Sequence, residues 1–224
     1  MHLYLATATE DAVQIHQYAE AELSVALAEG TLGLQMRTNY PSDDVVTLTI
    51  TEAPAAEAGL SLRIPAWAKN ATVEIDGTPL TPGEEIRQIF TPGQRITLTL
   101  PREVRVVQPD PRIDAVRGTV AIERGPWVLA LEDIDIDAET TVNEVAIDLS
   151  EPPVAVGADD AEVTLKLLTE PSSWWPYTEG AEQPASSATR VRLHPYRVWA
   201  ERGPTTMRIF LPLPEQESVP ATSE

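Results

Sequence analysis

The amino-acid sequence predicts an all-β protein made of two antiparallel β-sandwich domains, and three observations carry that prediction. Apolar residues recur at every second position, as in Val46-Leu48-Ile50, Ile96-Leu98-Leu100 and Val163-Leu165-Leu167, which is the period of a strand with one buried face. The runs are short and stop at turn-forming pairs such as Asp76-Gly77 and Pro92-Gly93. Proline supplies 20 of the 224 residues, above its usual share of roughly 5%, as expected where many strands have to end.

Taken in order, His2-Leu3-Tyr4-Leu5 is β-prone from the start. Leu23, Val25 and Leu27 then face Leu32, Leu34 and Met36 across Glu29-Gly30, a pattern that predicts a hairpin. Ala19–Ala28 is rich in Ala and Glu, so a helix there is the rival reading. Ser42-Asp43-Asp44 is a turn cluster before the strand at Val46–Ile50, and residues 54–59 form a loop of small side chains. From Leu62 to Trp127 the alternation continues through Val73-Ile75, Ile86-Gln88-Phe90 and Ile96-Leu98-Leu100, which predicts a β-meander with one buried face. Asp76-Gly77 tolerates the positive φ angles that a tight hairpin turn needs.

Pro109-Asp110-Pro111 is the predicted junction, because each proline removes a donor and biases its predecessor to extended geometry. The expected domains are therefore 1–107 and 108–214, followed by a disordered tail at 215–224. In the second domain Val120–Leu131 is a nearly continuous apolar run that bends at Gly125. Val163-Leu165-Leu167, Val191-Leu193, Tyr196–Trp199 and Met207-Ile209-Leu211 supply further strands, and residues 171–188 read as a long loop. Trp67, Trp127 and Trp199 fall in strand patterns and are expected in the core. Arg-Gly-Pro recurs at 124–126 and 202–204, which shared turn chemistry explains without a repeat.

Composition excludes several functions. The formal charge is −19, and only Lys69 and Lys166 among the 16 basic residues are lysines. A field of that sign repels phosphate backbones and anionic lipid, so neither nucleic acid nor a membrane is an expected partner. No apolar run has the length of a membrane span, and residues 1–20 lack the pattern of a signal peptide, so a cytoplasmic location is the expectation. Cysteine is absent, which removes disulfides, thiolate nucleophiles and cysteine-held metals from these residues.

Three stretches carry a family resemblance: Leu62-Arg63-Ile64-Pro65-Ala66-Trp67, the run from Arg117 to Glu132 (RGTVAIERGPWVLALE), and Tyr196–Pro204 (YRVWAERGP). Together with TPGQRITLTLP they resemble the C-terminal β-sandwich region of glycoside hydrolase family 127, whose similar members are β-L-arabinofuranosidases. The resemblance implies a parent enzyme that hydrolyses terminal β-L-arabinofuranosides or related glycosides with retention. Its zinc, its nucleophilic cysteine and the cysteine and glutamate ligands of the metal would sit in an N-terminal (α/α)6 barrel. Those positions have no counterpart here, and Ala130 stands where the family often shows a cysteine. The resemblance thus implies an accessory, non-catalytic region entered midway, with its own barrel as partner and with homodimerisation as a second possible role.

Candidate sites follow. A glycosidase needs two carboxyls at a set separation, and with 35 acidic residues the sequence nominates no pair. His2, His16 and His194 are scattered, without the spacing of a zinc site, and no metal ligand set is expected. His2 is the residue to watch near the parent's catalytic pocket. Trp174-Trp175-Pro176-Tyr177 lies in a loop-like segment, where exposed rings at Trp174, Trp175 and Tyr177 can receive a carbohydrate. Packing against a neighbouring domain is the competing role of those rings. A free-standing carbohydrate-binding module, a structural or dimerisation domain, and a glycosidase using local carboxylates remain as alternatives. Nucleophile elbows and Gly-rich phosphate loops are absent.

Overall fold

A computed structural model describes residues 4–137, 139–168 and 188–214 of the chain. It divides into two compact units, Met1–Arg102 and Glu103–Glu224. The described residues contain strands and short 3-10 turns and no α-helix.

The first unit runs β1 (Ala6–Ala8), β2 (Ala12–Ile15), β3 (Ala21–Leu27), β4 (Gly30–Thr38), β5 (Val45–Glu52), β6 (Ala58–Leu62), β7 (Thr72–Ile75), β8 (Thr78–Leu80), β9 (Ile86–Gln88) and β10 (Arg95–Thr99). One sheet has the order β1-β2-β6-β9 and the other β3-β4-β5-β10-β7-β8. All pairs in it are antiparallel except β2 with β6. Leu34, Met36, Leu48, Ile50, Ile96 and Leu98 from one sheet and Val13, Ile15 and Leu60 from the other share a single core. Each such side chain, fully buried, contributes about 1.5–3 kcal/mol relative to exposure. The opposite face of the larger sheet is polar, with Gln35 opposite Thr49 and Thr47 opposite Thr97.

The hairpin at residues 21–38 is present, with Leu23 opposite Leu34 and Val25 opposite Leu32, so burial overrides the helix propensity of Ala and Glu. At β7–β8 the two-residue loop has Asp76 at φ 48° and Gly77 at φ 81°, the paired positive values of a type I′ turn. The expected meander is not what forms. β9 leaves the sheet of β7 and β8 to pair with β6, placing Ile86 opposite Leu60, and β10 returns to lie between β5 and β7. Both sheets bury one face in the same core, so a period of two cannot tell which sheet a strand joins.

The second unit contains β11 (Val104–Val107), β12 (Thr119–Arg124), β13 (Trp127–Glu132), β14 (Val145–Asp148), β15 (Val154–Val156), β16 (Asp160–Leu167), β17 (Ala188–Pro195), β18 (Met207–Arg208) and β19 (Leu211–Pro212). They form one antiparallel sheet of order β11-β12-β13-β17-β16-β14. Strands change partner along their length: β13 pairs with β12, then β17, then β18. β19 pairs with β12 and lies beside β14, which curls the sheet toward a barrel around Ile122, Leu131, Ile147, Val163 and Leu193. The described residues are all-β, sandwich-like in the first unit and closer to a barrel in the second.

The division falls after Arg102 rather than after Val107, because β11 is hydrogen-bonded to β12 and belongs to the second unit. Gly125, at φ 55° before Pro126, makes the bend between β12 and β13. Tyr196–Val198 is a 3-10 turn rather than a strand, and Trp199, expected in the core, is 43% exposed. Trp67 and Trp127 are half-buried and pack against the first and second cores respectively. His2, Trp174, Trp175, Tyr177 and the tail at 215–224 lie outside the described residues.

Candidate functional site

Among the described residues of the second unit, a connected polar network adjoins the Tyr196–Val198 turn that follows β17. It begins with Glu132, the last residue of β13, which is 1% exposed. A carboxylate so deeply buried needs a cationic or donor partner for each oxygen. Arg202 Nη2 donates to Glu132 Oε1 at 2.9 Å, and the Ala200 N–H points to Oε2 at 3.4 Å. Arg202 also grips Asp135 with both terminal nitrogens, at 2.7 and 2.6 Å, the two-pronged geometry that matches a guanidinium to a carboxylate. Asp135 above all, and Glu132 after it, hold the guanidinium well above its ordinary pKa.

Asp135 passes the network on to β17. His194 has Nε2 at 3.6 Å from Asp135 Oδ1 and Nδ1 at 3.2 Å from Asp160 Oδ1, so its ring bridges two carboxylates. Arg124 ties the start of β16 to β12, since its Nη1 donates to the carbonyls of Val156, Gly157 and Asp160. The two Arg-Gly-Pro arginines thus do parallel work: each reaches from a turn to bind oxygens of another segment. Beside them Asp133 accepts hydrogen bonds from the hydroxyls of Thr205 and Thr206 and from the Thr206 N–H, which lowers its pKa to about 2.

Upon this frame sits an aromatic pair. A 3-10 turn has three residues per revolution, so residues i and i+3 lie one above the other. Tyr196 and Trp199 are so placed, with ring centroids 6.3 Å apart and planes within 10°. Between them Arg197 turns away, its guanidinium 4.5 Å from the Trp127 ring centre and 3.2 Å from Asp159. Ala200, at φ 62°, adopts a conformation that costs a non-glycine residue energy, and its N–H bond to Glu132 holds it there.

Chemically the network is a clamp. Every carboxylate named in it faces an arginine, histidine, hydroxyl or backbone donor. Among the described residues no group of three or more His, Asp or Glu side chains has the arrangement of a metal site, and the chain has no cysteine. His16 belongs to the first unit, where its Nε2 lies 2.7 Å from Thr7 Oγ1. The clamp and the ring pair escape a reading of the sequence because Tyr-Arg-Val-Trp alternates like a strand. The one local signal is aromatic residues three apart next to an Arg-Gly-Pro turn.

Two family models match the chain in succession. The GH127 middle domain of β-L-arabinofuranosidase matches residues 12–102, and the glycoside hydrolase family 127 C-terminal domain matches residues 104–212. Their limits agree with the division after Arg102. The chain is 26% identical over 197 residues to a non-reducing end β-L-arabinofuranosidase of Bifidobacterium longum subsp. longum, an alignment covering 80% of this chain and 30% of the relative. Its fold resembles that of a GH127 β-L-arabinofuranosidase from Geobacillus stearothermophilus, with a TM-score of 0.77 at 24% identity, over 94% of this chain and 35% of that one. A GH127 β-arabinofuranosidase is similar at a TM-score of 0.76 and 20% identity, over 94% and 36%. The chain spans about a third of the length of these proteins. With one model covering the first unit and another the second, the chain belongs to glycoside hydrolase family 127, of which it holds the middle and C-terminal domains.

Proposed function

We propose that the chain is the accessory, non-catalytic β region of a glycoside hydrolase that removes terminal β-L-arabinofuranosides or related glycosides. The observation that supports this most is the pairing of two successive family-127 domains with relatives about three times longer. In this reading the bond-breaking groups and the zinc belong to a helical domain, and the β units hold that domain in its active shape. The absence of cysteine agrees with it, as does a charged network whose members are all spoken for. Homodimerisation through the β region belongs to the same proposal.

Complementation tests it. The Bifidobacterium relative is deleted of the segment this chain matches, then fused to this chain in its place. Release of nitrophenol from nitrophenyl β-L-arabinofuranoside is expected to be low for the deletion protein and restored in the fusion. A deletion protein as active as the intact relative would show the β region to be dispensable and would overturn the proposal.

A further inference from the structure

We infer that the Tyr196–Trp199 ring pair is a saccharide-binding shelf. The two rings lie in nearly parallel planes 6.3 Å apart and are 46% and 43% exposed. Sugar rings are recognised by laying their apolar C–H faces on such surfaces while hydroxyls meet charged or amide groups at the margin. The margin exists: Arg197, about half exposed, carries the Asp159 carboxylate beside it, and Glu201 and Arg202 follow directly in the chain with exposed surface.

Rigidity matters as much as exposure. A shelf binds weak, neutral ligands only if its side chains are already ordered, because ordering them on binding would consume the small gain. Here the turn is held by the Trp199 N–H to the Tyr196 carbonyl at 3.1 Å, by Arg197 against Trp127, and by Ala200 on buried Glu132. This frame secures a turn that contributes no buried residue to the core.

Charge selects the ligand class. At a formal charge of −19 the chain repels phosphates and anionic lipid, whereas a neutral sugar is indifferent to that field. A protein partner is the alternative that the self-association arm of the experiment below tests. The inference goes beyond the accessory role proposed above. Only the choice of arabinofuranose as first probe rests on that proposal.

The experiment is titration of the whole chain with methyl β-L-arabinofuranoside, L-arabinose, D-xylose and D-galactose, followed by saturation-transfer NMR and tryptophan fluorescence. Saturable binding is expected, weakened about tenfold or more by Trp199→Ala and by Tyr196→Ala and largely kept by Trp199→Phe. Thermal unfolding of each variant should match the parent, since both rings are exposed. Trp199-dependent binding of xylose or galactose alone would keep the shelf and remove the arabinofuranoside assignment. Three outcomes overturn the shelf: no saturable binding of any of the four sugars, binding unchanged by Trp199→Ala but lost with Trp174→Ala or Trp175→Ala, or a Trp199-dependent self-association that no sugar displaces.

Discussion

Asp133 shows how a single side chain ties the end of β13 to the segment that follows the ring pair. Thr205 and Thr206 donate to it and lower its pKa to about 2, below the ordinary carboxylate value of roughly 3.9. A depressed folded-state pKa contributes stability that is complete above about pH 4 and is lost as pH falls through about 2. The melting temperature of the native chain should therefore fall more steeply between pH 4 and pH 2 than that of Asp133→Asn, followed by circular dichroism. Equal slopes would remove Asp133 from the acid response. Little of this was legible in the sequence, because the donors lie more than seventy positions away and acidic residues are abundant. Asp76-Gly77 was legible, since its turn depends on its own two residues and its immediate neighbours.

Among elements, the contrast between two glycines separates conformational from steric constraint. Gly77 stands at φ 81° with nothing within 4 Å of where an added Cβ would stand, so Gly77→Ala is expected to cost about 1 kcal/mol through backbone strain alone. Gly33 sits at the register shift between β4 and β5, where an added Cβ would meet Thr51 Oγ1 at 2.5 Å and Glu52 Cβ at 2.9 Å. Gly33→Ala should therefore destabilise more than Gly77→Ala in urea unfolding, and the reverse order would contradict the register described for β4 and β5. Strand existence was readable from the period of two at Val46–Ile50, Ile96–Leu100 and Val163–Leu167. Strand partnership was not: β9 carries the same alternation as its neighbours and joins the other sheet. The Tyr196–Val198 turn was hidden for a related reason, because three residues are too few to show a period of their own.

At the level of the whole molecule, two β units in succession follow from the sequence once the prolines and the alternating runs are counted. Their exact junction does not, since β11 reads equally well as the last strand of one unit or the first of the next until its partner β12 is known. Membership of family 127 was legible in LRIPAW, RGTVAIERGPWVLALE and YRVWAERGP, and the two family domains divide the chain where the units divide. The first unit is governed by apolar packing between two sheets. The second adds a clamp of arginines and carboxylates around a strained turn, and that difference in construction is why the shelf is assigned to the second.

The role proposed for these β units is to support sugar hydrolysis without performing it. Turnover by the purified chain alone, with nitrophenyl β-L-arabinofuranoside, zinc and a thiol reductant supplied, puts that role to the plainest trial. Nitrophenol release no faster than in buffer is expected. Saturable release that co-purifies with the chain and disappears on replacing one of its carboxylates would refute it.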